Sequence, residues 1–168
     1  SFKDLVRMSN LCQEITLPTD PVQHIDGEGE IALCILSAIN VGKIDKRDEL
    51  EPLCDLSVRA LDEIIDHQGY PVKAAEISTK ARRSLGIGYI GLAHYLAKKG
   101  YRYDQKLAWR QVDKLTEAFQ YYLLKSSLEV AKEKGKCEYF DRTKYSDGVL
   151  PIDTYKKDVD ELVNKRSL

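Results

Sequence analysis

An α/β fold is predicted by three features of the 168-residue chain: short apolar or β-branched runs closed by proline or glycine, long stretches with apolar residues at helical spacing, and the mixing of the two along the sequence. The length suits one domain, and 43% hydrophobic residues are enough for a core. Basic and acidic residues number 26 and 27 and are interspersed, so the one-sided basic stripe of a nucleic-acid binder is missing and membrane-surface binding has no support. No apolar run is long enough for a transmembrane helix, and SFKDLVRMSN lacks the apolar core of a signal peptide, which makes the cytoplasm the default expectation.

The first element is an extended stretch over roughly 7–18, where Ile15, Thr16 and Leu17 run into Pro18. After a turn-rich connection, IALCILSAINVG (31–42) is nearly all apolar. A strand buried on both faces and a helix start both fit it, and a strand through about Leu36 is preferred. Residues 48–68 form a helix, with Asp48 and Glu51 as a capping box, Pro52 near the first turn, and Leu50, Leu53, Cys54, Ser57, Val58, Leu61, Ile64 and Ile65 at helical spacing. Gly69 and Pro71 end it, and Cys54 is most simply a packing thiol. A polar stretch leads to a strand over Ser84–Ile90 and a helix ending near Gly100. The longest helix runs over about 105–134, capped by Asp104 and closed by Gly135; Ala108, Val112, Leu115, Phe119, Tyr122, Leu123, Ser126 and Val130 line one face. A last helix starts near PIDTY and carries Ile152, Tyr155, Val159, Leu162 and Val163.

Gly86–Gly91 matches GxGxxG, but the preceding STKARRSL is too charged for a central buried strand, and no second strand with an acidic end follows. A strand whose glycines allow close backbone approach is the preferred account, and no nucleotide cofactor is assigned to it. Cys12, Cys34, Cys54 and Cys137 form no CxxC pair, and His24, His67 and His94 are scattered, so no metal site is assigned.

The stretch SNLCQE carries the chemistry. In an extended segment Asn10, Cys12 and Glu14 project to one face, giving a thiol flanked by an amide and a carboxylate. A solvated edge strand with an incidental cysteine and a chemical site both fit that spacing. Were the segment to fold back on 31–36 about a connection near residue 23 or 24, Cys34 would face Cys12, as a thiol redox site requires. A cysteine nucleophile wants a histidine base, and none lies near Cys12 in sequence. A carboxylate repels a thiolate, so a neutral thiol suited to hydrogen-atom chemistry, with Glu14 handling a substrate proton, is the better match.

SNLCQEITLPT, GEIALCILSAINVG, VRALDEIIDHQGYPV, RRSLGIG, FQYYLLKSSLEVAKEKG and LPIDTYKKDVDEL together resemble, in order, one continuous region of the large catalytic subunit of class I ribonucleotide reductase, over nearly the whole chain. The version is most similar to enterobacterial and phage-type enzymes. The resemblance implies that residues 1–168 form one partial domain, a segment of a ten-stranded α/β barrel with several long helices, in which 7–18 are the walls of a catalytic finger loop and LGIG is a barrel strand. It implies that Cys12 becomes a thiyl radical and removes the ribose 3′ hydrogen, that Glu14 takes the 3′-hydroxyl proton, and that Asn10, with Leu11, Cys12 and Glu14, binds substrate. Cys34 is implied to be one member of the redox pair, whose partner is neither Cys54 nor Cys137.

The implied partners are the remaining segments of the large subunit, a metal-containing radical-generating small subunit, a ribonucleoside diphosphate substrate, and thioredoxin or glutaredoxin as reductant. Nucleotide effectors are expected to bind outside this segment, and the setting is a bacterial or phage-infected cell. The family's chain is several times longer, so this chain is expected to be inactive alone, as a piece of a split gene or an excised segment. Two other readings are a non-catalytic interaction module of the same ancestry, associating through exposed strand edges, and a nucleotide-cofactor dehydrogenase.

Overall fold

The computed structural model describes residues 3–9, 12–13, 16–22 and 29–154. The chain divides into two compact units.

The first unit comprises Ser1–Leu33, Tyr70–Arg82 and Cys137–Leu168. It holds strands β1 (Val6–Ser9) and β2 (Thr16–Pro18), which pair antiparallel with Ser9 opposite Thr16 and an irregularity between Val6 and Met8. The predicted continuous extension over 7–18 is therefore a hairpin. Gln13 explains the break, since its φ of +62° is incompatible with a strand. The unit also holds the ten-residue helix Lys73–Arg82, in the stretch read from sequence only as polar. Its small buried residues Ala74, Ala75, Ser78, Thr79 and Ala81 give almost no apolar signal, yet they let neighbouring backbone approach closely: Ile31 N–H donates to Ala74 O at 3.2 Å and Tyr139 N–H to Ala81 O at 3.0 Å. Two 3-10 turns, Phe140–Arg142 and Lys144–Asp147, follow Cys137. Residues 151–154 begin the expected last helix; Tyr155, Val159, Leu162 and Val163 lie outside the described residues.

The second unit comprises Cys34–Gly69 and Arg83–Lys136. Strand β3 (Ile35–Asn40) pairs in parallel with β4 (Leu85–Ile90), Ile35 opposite Leu85 and Asn40 opposite Ile90. With the helix Lys73–Arg82 taken in chain order as α2, the helices of this unit are α1 (Leu50–His67), α3 (Leu92–Lys98) and α4 (Lys106–Lys134). The core joins Ile39 of β3, Leu50 and Cys54 of α1, and Ala118 and Phe119 of α4, with Ile87, Tyr89 and Leu115 packed around them. Tyr89 meets Phe119 edge-on at 5.4 Å between ring centroids.

Four expectations need correction here. The strand predicted through Leu36 runs instead over Ile35–Asn40, and it is covered on one face only, because both long helices pack on the side of Ile39, Ile87 and Tyr89. Leu36 and Ile90, on the other parity, are 58% and 55% exposed. The proposed pairing of 7–18 with 31–36 is not formed among the described residues, where β2 pairs with β1 and β3 with β4. The capping box at Asp48 is replaced by a 3-10 turn, Arg47–Glu49, in which the Glu49 carboxylate accepts from Asp45 N–H at 3.1 Å. Asp104 pairs with Arg102 rather than capping α4, whose first flanking residue is Gln105.

The glycines of GxGxxG lie within β4 and at its end. Gly91 has φ +78°, and a β-carbon there would collide with the Asn40 side chain, which itself accepts from Gly42 N–H at 3.1 Å. Glycine is used here for a sharp strand-to-helix turn against a neighbouring loop.

Asp62 lies in the buried stripe of α1 because Arg83 Nε donates to it at 2.6 Å and Lys134 Nζ at 2.9 Å. Burial raises its pKa, but those two cations outweigh burial and hold it below the usual carboxylate range; the Arg83 hydrogen bond does the same for Asp66. Arg83 needs such partners, since its own φ is +48°. Both carboxyls thus titrate lower folded than unfolded. Their stabilisation is complete above the unfolded value of about 3.9 and is lost as pH falls through the lower folded values. Asp62→Asn should cost about 1.5–3 kcal/mol at neutral pH, the worth of hydrogen bonds to charged groups. Urea midpoints measured from neutral pH down to about pH 3 should then fall less steeply in the variant than in the parent.

Candidate active site

β1 and β2 pair antiparallel, and between them the described residues Cys12 and Gln13 form part of a turn. Cys12 lies in that turn and is exposed. Asn10, Leu11 and Glu14 lie outside the described residues, and with them the shared face expected from a two-residue repeat; Gln13, within that stretch, has a positive φ. Cys34 belongs to the second unit, where it immediately precedes β3; it is half-buried, and its thiol donates to Ile35 O at 3.8 Å.

The other two thiols differ. Cys54 is fully buried in the core, and burial together with the nearby Glu51 charge pushes its pKa up to about 11. That environment makes it the packing thiol expected from its place on the helix stripe. Cys137 is half-buried just before the turn Phe140–Arg142. Among the described residues no group of three or more His, Cys, Asp or Glu is arranged to hold a metal ion, and no helix is long and apolar enough to cross a membrane.

Beneath the hairpin lies an arrangement the sequence reading did not find. Arg82, with its side chain 3% exposed, donates through Nη2 and Nε to Glu30 Oε2 at 2.6 and 3.1 Å, and through Nη1 to Asp4 at 2.8 Å. Glu30 is 4% exposed. Arg142 Nε donates to Asp4 Oδ1 at 3.0 Å, and both guanidiniums lie against the Tyr139 ring, at 5.1 Å for Arg82 and 4.3 Å for Arg142. Burial works to raise the Asp4 pKa, but the two arginines hold it below the usual range. On the exit side of the hairpin, Arg7 donates to Thr19 O and to Asp20, and Asp20 O accepts from Glu30 N–H at 3.0 Å. The only sequence signal for this cluster was the Arg82–Arg83 pair; its partners are 52 to 78 positions away.

Parallel strands crossed by a packed helix, joined in one chain to a hairpin with a cysteine in its turn, define an α/β protein with a candidate thiol site. Residues 2–167 match the model of the ribonucleotide reductase barrel domain, and the chain belongs to that family. It is 60% identical over 161 residues to the ribonucleoside-diphosphate reductase subunit alpha of Haemophilus influenzae and 55% identical to the ribonucleoside-diphosphate reductase 1 subunit alpha of Escherichia coli. Each match covers 95% of this chain and 21% of the relative. The phage T4 subunit alpha is 43% identical over 94% of this chain and 20% of its own length. The chain thus spans about a fifth of the length of the curated relatives it matches.

The thiol environments predict an order of reactivity. Under mild alkylation near pH 8, Cys12 should be labelled first and Cys54 last, with Cys54 reacting fully only after denaturant is added. Peptide mass mapping over time checks that order.

Proposed function

We propose that this chain is the catalytic barrel segment of a ribonucleoside-diphosphate reductase, reducing ribonucleotides to deoxyribonucleotides by thiyl-radical chemistry when joined to the rest of its large subunit. The observation that carries the proposal is the family match over residues 2–167, which takes in Cys12, Glu14 and Cys34 together. The exposed cysteine in a hairpin turn supports it, since a finger that enters a cavity must carry its reactive group at the tip.

In this reading the hairpin walls 7–18 are the finger. Cys12, as a thiyl radical, takes the hydrogen atom from the ribose 3′ carbon and becomes a thiol, leaving a carbon radical. Glu14 accepts the 3′-hydroxyl proton, and Asn10 and Leu11 help to hold the substrate. The 2′-hydroxyl takes a proton from the Cys34 thiol pair and leaves as water. Cys34 and a second thiol outside this chain supply two electrons and close a disulfide, and the hydrogen atom returns from Cys12 to the sugar. A reductant of the thioredoxin or glutaredoxin class reopens the disulfide. The radical comes from a metal-containing small subunit, nucleotide effectors bind elsewhere on the large subunit, and the setting is the cytoplasm of a bacterial or phage-infected cell.

The bare face of β3–β4 supports the barrel. Leu36, Ala38, Gly86, Gly88 and Ile90 share it, and Cys34 continues the two-residue repeat of Leu36 and Ala38. Small and apolar residues on the uncovered side of parallel strands fit the lining of a closed barrel. The same bare face is what an interaction module would use, so that reading stands second.

Cys12→Ser separates the two. In the complete large subunit with its radical-generating partner, deoxynucleotide formation should fall at least about 10³-fold, the scale of losing a nucleophilic or radical centre. Assembly of the subunits, followed by size-exclusion chromatography, should be unchanged. Activity surviving in the variant refutes the enzymatic reading and favours the module.

A further inference from the structure

We infer that the Asp4–Arg82–Glu30–Arg142 cluster is a positioning device for Cys12: it fixes the roots of the β1–β2 hairpin and so sets where the thiol at its turn lies. The inference rests on the proposed role of Cys12 and adds residues to which that role assigns nothing.

The geometry favours a clamp over a general stabilising ion pair. Asp4 stands two residues before β1, and its carboxylate receives both Arg82 Nη1 and Arg142 Nε. The chain leaving β2 is held at Asp20, whose carbonyl accepts from Glu30 N–H while its carboxylate meets Arg7 at 3.2 Å and Arg142 at 3.9 Å. Glu30 in turn is fixed by Arg82. The entering end of the hairpin therefore rests on both guanidiniums directly, and the leaving end reaches Arg82 through Glu30 and Arg142 at 3.9 Å; both guanidiniums lie against the Tyr139 ring. Lys3 N–H donates to Arg142 O at 3.0 Å and carries the anchor back along the entering strand.

Besides the cluster, the hairpin is held by the buried side chains of Leu17 and Pro18 at the end of β2, while Val6 of β1 is exposed. Its strands are four and three residues long, with an irregular register between Val6 and Met8. A two-stranded ribbon of that size is marginal by itself. Hydrogen-atom transfer requires reacting atoms within about 3–3.5 Å, and an error of about 1 Å costs on the order of 10²-fold in rate. A loosened root would be read out at the tip.

Asp4→Asn tests this with Arg82 and Glu30 left in place. In the complete large subunit with its radical-generating partner, kcat should fall about tenfold while KM for the ribonucleoside diphosphate stays within about twofold, because an interaction that aligns the reacting atoms is lost without one that binds substrate. Amide exchange in peptides spanning β1 and β2 should speed up at least about fivefold, with α4 unchanged. Arg142→Lys, which keeps the charge but loses the planar fork, should lie between parent and Asp4→Asn and serves alone if the latter does not fold.

Unchanged exchange in the hairpin overturns the clamp. Faster exchange with unchanged kcat, or a raised KM at unchanged kcat, overturns the positioning role. Exchange reports the clamp whether or not Cys12 is catalytic, and Cys12→Ser reports the chemistry whether or not the clamp exists, so the two readings fail separately.

Discussion

The side chain of Arg82 is 3% exposed, and a charge so far from water must be met by its neighbours or the fold would not keep it. Glu30 and Asp4 meet it in the first unit, and their separation in sequence makes the demand a tertiary constraint. Losing one partner of such a buried pair costs about 3–5 kcal/mol, a large part of a domain's total stability. The next residue, Arg83, is bound to Asp62 and Asp66 within the second unit, in a backbone conformation that only its partners make tolerable. Two adjacent arginines are thus each committed by a different set of carboxylates.

How much of this was legible in the sequence followed from the range of each signal. α1 and α4 were readable because a 3.6-residue apolar stripe repeats many times along one helix. β4 and the helix after it were readable from a short run of apolar residues and glycines that leads into an apolar stretch ending near Gly100. The helix Lys73–Arg82 was not, because it is buried through alanine, serine and threonine. The stripe of α1 was drawn too wide: Leu53 and Ile64 are exposed, while Asp62, which no hydropathy pattern selects, is buried on Arg83 and Lys134.

The candidate site divides the same way. Cys12 and Cys34 stood out by residue type, and the family resemblance supplied roles for them. The extended geometry argued for residues 10–14 depended on a regular strand; Gln13 has a left-handed backbone, and Asn10 and Glu14 lie outside the described residues. Strand pairing was also guessed from spacing alone. The observed partners differ because register is set by which faces can be covered, and β3 gains more by lying beside β4 under α1 and α4. The arginine cluster was beyond reach because its members lie in four separated stretches, around residues 4, 30, 82 and 142.

The central claim is that the sulfur of Cys12 addresses the sugar of a ribonucleotide. A structure of the complete large subunit with a bound ribonucleoside diphosphate measures it directly. The account predicts the Cys12 Sγ within about 3.5 Å of the ribose 3′ carbon, the separation of a near-attack arrangement, with Glu14 on the 3′-hydroxyl. A substrate bound in the barrel with that sulfur facing bulk water, or with another side chain interposed between it and the 3′ carbon, would contradict it.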